Sequence, residues 1–163
     1  LESAPIRNKR VTPVGTLYCE AQALDPWEGD CTNRKYDGSS VRAGAKALAN
    51  RGLISTYLWA FTAEDAANWL LSGKGPIVFG TRWYNSMQKP DKNGVVTVDT
   101  ASGMAGGHAY LCIGYNSKTR LFRFQNSWGT GWGQNGRFWM HADAVEALLQ
   151  RQGEACTALE IKV

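Results

Sequence analysis

The apolar residues of this chain recur with one period before Gly73 and another after it, and that switch limits the folds open to it. In "TLYCEAQAL", Thr16 can cap a helix that carries Leu17, Ala21 and Leu24 along one side. In "VRAGAKALANRG", Ser39 or Ser40 stands at the cap, Val41, Ala45 and Leu48 form a stripe, and Gly52 supplies a stop. Thr62-Ala63-Glu64-Asp65 sets a capping hydroxyl and two acids ahead of Ala66, Trp69 and Leu70, which predicts a third helix. Past Gly73 come short runs suited to strands: "GPIVFGTRW", "GVVTV", "HAYLCIGY", "RLFRFQN" and "GRFWM". A short helix, "ADAVEALL", and a closing strand, "CTALEIKV", follow. Helices first and antiparallel strands second predict an α+β fold, helical over 16–74 and β over 75–163. Residues 1–15, with Pro5, Pro13 and Gly15, read as an extended lead-in.

Composition narrows the function classes. The 163 residues, 44% hydrophobic and 11% aromatic, suffice for one domain or two small lobes around a core. Eighteen basic residues face fourteen acidic ones, and the one tight basic cluster, Arg7, Lys9 and Arg10, has no interleaved aromatics, so no nucleic-acid partner is expected. No apolar run approaches the ~20 residues of a membrane span, and Leu1-Glu2-Ser3-Ala4-Pro5 has no signal-peptide core, so no membrane partner is expected either. The first residue is Leu rather than Met, which fits removal of an upstream piece. Cys19, Cys31, Cys112 and Cys156 sit singly, so no zinc site or other cofactor is expected even with His108 and His141 present. A disulfide between Cys19 and Cys31 is compatible with their spacing but not required by it.

The candidate chemistry lies between His108 and Trp128. His108 follows Gly106-Gly107 at the expected start of a strand, and Asn126 ends another, so pairing those strands sets the two side by side. An asparagine oxygen on one imidazole nitrogen fixes the tautomer and leaves the other nitrogen free to take a thiol proton. Taken alone, His108 reads as a structural histidine in a β-core. The neighbouring "NSWGTGWGQNG" changes that reading, because so much Gly and Trp suits a rigid loop whose indole, Trp128, shields a polar pair from water.

From "GGHAYLCIGYN" through "FRFQNSWGTGWGQNGRFWM" the sequence resembles the C-terminal lobe of the papain-like cysteine peptidases. The resemblance implies a two-lobe fold with a cleft between the lobes and a peptide or protein as partner. His108 would be the catalytic histidine, Asn126 its orienting partner and Trp128 the covering indole. "YDGSSVRAGAKALANRGLIS" is similar to the family's Gly-rich turn and following helix, which implies that Gly38 and Ser39 pair with extended substrate. "LYCEAQALDPWEGD" and "GPIVFGTRWYNSM" most resemble compact members from bacteriophages and actinobacteria, and Trp83, Tyr84 and Asn85 would then line the cleft.

One departure decides the functional expectation. In the family, the nucleophilic cysteine opens a long helix after an oxyanion-hole glutamine, upstream of the segment matching Leu17, and residues 1–15 hold neither. Cys19 is the candidate substitute, in the first turns of a helix, although Glu20 beside it would raise the thiol pKa. Cys112 reads as a buried thiol, and Cys31 and Cys156 as structural. The expectation is therefore a papain-like scaffold that keeps His108 and Asn126 without the nucleophile and serves binding or assembly, for example as a phage structural component. The alternative is a fragment or mature chain of an active peptidase whose thiol lies on a missing segment or another subunit. Without the family's central helix, Leu17, Leu24, Val41 and Leu48 are expected to be left uncovered for a docking chain or segment.

Overall fold

A computed structural model describes residues 14–29, 31–32 and 37–160. Most of the lead-in, including Arg7, Lys9 and Arg10, lies outside the described residues. Two compact units emerge. The first contains residues 14–59 and 156–160; the second is Ala60–Ala155.

In the first unit, α1 (Val14–Leu24) packs on α2 (Val41–Asn50). Val14 and Gly15, expected in the lead-in, belong to the first turn of α1. Ser40 is the cap of α2, its side chain accepting from the Ala43 N–H at 3.0 Å, and Gly52 takes the left-handed conformation just past the end. The buried face of α2 is Ala43, Ala45, Ala47 and Leu48, small residues that allow a close helix pair. Leu48 is buried and drops out of the expected open face, whereas Leu24 stays exposed and Leu17 and Val41 are half-buried. Arg51 binds Glu20 at 2.7 Å across the two helices. Strand β1 (Ile54–Trp59) pairs antiparallel with β6 (Glu154–Glu160), Trp59 opposite Cys156.

The second unit opens with α3 (Ala63–Leu71), which the sequence grouping placed with the helical part. Its expected start is present: Thr62 accepts from the Asp65 N–H at 3.0 Å and the Asp65 carboxylate accepts from the Thr62 N–H at 3.1 Å. β2 (Ile77–Tyr84), β3 (Met104–Asn116), β4 (Leu121–Gln125) and β5 (Arg137–His141) then pair in chain order, each antiparallel to the next. Alternation selects the inner face: Phe122 and Phe124 on β4, Phe138 and Met140 on β5, and Ile77 and Phe79 on β2 are buried. Ala66 of α3 with Val145 and Leu148 of α4 (Ala142–Leu149) completes that core. "GVVTV" does not form the expected strand. The Asp91 carboxylate takes the N–H groups of Asn93 and Val95, each at 2.8 Å, which bends the chain into a turn, and Val95 keeps a single bridge to Trp139.

Candidate active site

β3 starts four residues earlier than expected, so His108 is its fifth residue rather than its first. It faces Thr81 on β2, while pairing with β4 begins only at Leu111, opposite Gln125. At His108 the strand is thus paired on one side. Asn126 follows the last residue of β4, its N–H bonded to the Gly136 carbonyl at 2.8 Å.

The two side chains meet: His108 Nε2 lies 2.8 Å from Asn126 Oδ1. The same oxygen accepts from the Ser127 N–H at 2.8 Å. Asn126 Nδ2 is buried without a hydrogen-bond partner among the described residues, but a flipped amide would turn its NH2 on the Ser127 N–H, a fixed donor, so this orientation stands. An amide oxygen only accepts, so Nε2 carries the proton and Nδ1 carries the lone pair. Among the described residues Nδ1 has no hydrogen-bond partner. Trp128 lies over the imidazole, ring centroids 4.7 Å apart at 30°, and is itself 39% exposed.

The loop that carries Trp128 is held from within. Gly136 N–H bonds the Trp132 carbonyl and Gln134 N–H the Arg137 carbonyl, both at 2.8 Å, while Trp132 Nε1 donates to the Gln88 carbonyl at 2.8 Å. Trp132 meets Trp128 edge-on at 5.1 Å and rests on Phe138 at 5.4 Å. The Gly- and Trp-rich stretch is a rigid support, as its composition implies.

Burial holds the His108 pKa below its ordinary value, with the Asn126 bond opposing the shift. Among the described residues no neighbouring charge contributes. The ring is therefore neutral at neutral pH and fit to accept a proton. A consequence for stability follows from the sign. Well above about pH 6.5 both folded and unfolded imidazoles are neutral. As pH falls from there through the folded value, the unfolded chain takes up its proton first and stability is lost. Urea unfolding across that interval is expected to show a steeper fall in the wild type than in His108→Gln; parallel curves would contradict it.

No thiol stands ready beside Nδ1. Cys112 shares the strand face with His108, but lies four extended steps along the strand, about 13 Å away. It is buried, donates weakly to the Arg123 carbonyl at 3.5 Å, and burial pushes its pKa up to about 12. Cys156 is buried as well. Cys19 is joined to Cys31 in a disulfide, so the candidate substitute nucleophile is corrected: a disulfide sulfur has no thiolate to offer.

Two further assignments change. Gly38, expected to pair with substrate, has both backbone groups engaged by α1: its N–H donates to Tyr18 Oη at 2.8 Å and its carbonyl accepts from Gln22 Nε2 at 3.0 Å. The Ser39 hydroxyl donates to Asp25 at 2.8 Å. Trp83 and Tyr84, expected to line a cleft, are buried, and a bulge between them lets consecutive residues both turn inward. Asn85 is exposed and donates to the Ser102 carbonyl. Among the described residues no group of three His, Cys, Asp or Glu side chains is placed to hold a metal ion.

The sequence profile described as papain family cysteine protease matches residues 22–157. This chain belongs to the papain family. Over 72 residues it is 42% identical to an uncharacterised peptidase C1-like protein of Acanthamoeba polyphaga mimivirus, covering 42% of this chain and 23% of that protein. Xylellain, a cysteine protease from Xylella fastidiosa, matches with a TM-score of 0.57 at 27% identity, over 77% of this chain and 47% of its own. The bromelain protease from Ananas comosus, solved with the E64 inhibitor, matches with a TM-score of 0.60 at 17% identity over 96% and 82%, a likeness of fold. The chain thus spans under a quarter of the mimivirus relative and just under half of xylellain. These matches carry the family and not the narrower phage or actinobacterial grouping.

Proposed function

We propose that this chain carries the general-base half of a cysteine peptidase site and has no peptidase activity by itself. The observation behind this reading is the 2.8 Å bond from His108 Nε2 to an asparagine oxygen held by a second donor, which leaves the Nδ1 lone pair free. In the reaction, Nδ1 takes the proton of a thiol supplied by a segment outside these 163 residues, the thiolate attacks a peptide carbonyl, and the imidazolium returns the proton to the leaving amine. Asn126 keeps the ring turned for both transfers. In the first unit, Leu17, Leu24 and Val41 remain at least partly open to a docking chain or segment.

A second reading rests on the lack of a reachable thiol: a papain-family scaffold used for binding or assembly, for instance in a phage particle. One experiment separates the two. The purified chain is expected to hydrolyse no peptide and to take no stoichiometric label from an electrophilic thiol probe. A chimaera with the nucleophile-bearing segment of xylellain joined ahead of residue 14 is expected to gain activity, falling at least about 10³-fold in His108→Ala. A folded chimaera without activity favours the scaffold. Labelling of Cys112 in the chain alone, abolished by His108→Ala, places the nucleophile inside it and overturns both.

A further inference from the structure

We propose that Trp83 is a positioning residue for His108, a buried wall that keeps the imidazole in one orientation, rather than a lining of any binding surface. The inference rests on the reading of His108 as a general base.

Trp83 is 2% exposed, and its indole meets four rings edge-on: His108 at 4.9 Å and 74°, Trp128 at 5.5 Å and 79°, Tyr110 at 5.5 Å and 66°, and Phe138 at 5.7 Å and 86°. The register explains the first contact. Directly opposite Trp83 the partner strand offers only Gly106, where an added Cβ would meet nothing within 4 Å. The large ring therefore makes its contact with the diagonal neighbour two residues on, His108, as long aromatic side chains can.

The cost of the indole points the same way. Trp83 Nε1 is buried and has no hydrogen-bond partner among the described residues. Burying such a donor without a partner carries a desolvation penalty. A phenylalanine would fill core space without it, so what the indole adds is reach toward His108. Trp128 covers the imidazole nearly face-on, Tyr110 tilts against it at 5.7 Å, and Trp83 meets it edge-on. A half-turn of the ring about its Cβ–Cγ bond would exchange Nδ1 with a carbon and break the bond to Asn126; three rings this close resist it. The Tyr110 hydroxyl, the titratable group nearest by ring contact, is engaged with Thr81 at 2.8 Å. The low His108 pKa has burial as its largest cause, which agrees with an aromatic enclosure.

The test is imidazole NMR on the whole chain, comparing wild type, Trp83→Phe, Trp83→Leu and Phe122→Leu. Phe122 is a buried core residue whose ring contacts are Tyr115 and Phe124, not His108. In the wild type, a single tautomer protonated at Nε2 is expected. Both Trp83 variants are expected to move the His108 pKa up toward its ordinary 6.5 and to speed Nε2–H exchange about tenfold, the equivalent of one weakened hydrogen bond. Phe122→Leu should lower the unfolding midpoint and leave both signals in place. Unchanged titration and exchange in Trp83→Phe, the variant least disturbing to the fold, overturns the proposal, as does an equal change in Phe122→Leu. No thiol is needed for this readout. An inactive chimaera with a mobile imidazole in Trp83→Phe therefore defeats only the peptidase reading, and an active one with an unmoved imidazole defeats only this inference.

Discussion

Phe138→Ala is expected to destabilise the second unit by about 3–5 kcal/mol, the usual result of emptying a fully buried aromatic site. The ring is stacked on Phe124 at 5.0 Å and 16°, and Trp83, Tyr110 and Trp132 all lean on it. Against a total of roughly 5–15 kcal/mol for a domain, this is a large fraction. Urea unfolding followed by tryptophan fluorescence measures it. Because Trp83 and Trp132 support the His108 enclosure, the surviving folded protein should also show a looser imidazole. A loss below about 1 kcal/mol would mean that the aromatic stack is not the centre of the core.

The second large effect is expected at Gly133→Ala. Gly133 has φ +57°, and a Cβ there would run into the Arg137 carbonyl oxygen, which already accepts the Gln134 N–H. Strained backbone of this kind costs roughly 1–3 kcal/mol before the collision is counted. The loop has to open, Trp132 moves with it, and Trp128 loses its lateral support. The measurement pairs the unfolding midpoint with the fluorescence of the exposed Trp128. Gly131→Ala is the internal comparison: its added Cβ meets nothing within 4 Å and its φ is not in the left-handed range. Equal effects at the two positions would contradict the account.

What could be read in the sequence follows from how local each signal is. The cap of α3 is written in four adjacent residues, Thr62 to Asp65, and is present as expected. The inner faces of β4 and β5 follow from alternation over five residues each. His108, Asn126 and Trp128 were legible together because one stretch brings a strand, a turn and a returning strand into register. β1 has no counterpart among the expected elements: Ile54, Tyr57, Leu58 and Trp59 do not alternate, and the strand depends on β6, a hundred residues away. Trp83 read as a cleft residue because its burial depends on a bulge and on a glycine across the sheet, neither of which has a local signature. The engagement of Gly38 is likewise nonlocal. Its partners, Tyr18 and Gln22, are spaced to face the turn only once α1 is a helix.

The Cys19–Cys31 bridge sets a practical conflict for anyone handling this protein. A cysteine nucleophile supplied from outside works only as a reduced thiolate and is lost by oxidation, so assays of a reconstituted site call for a reducing agent. The same reductant attacks a disulfide whose two residues are only half-buried. Under the proposed peptidase reading, activity and the Cys19–Cys31 bridge thus pull in opposite directions along the redox scale. The concentration of reductant becomes a variable to titrate rather than a routine addition.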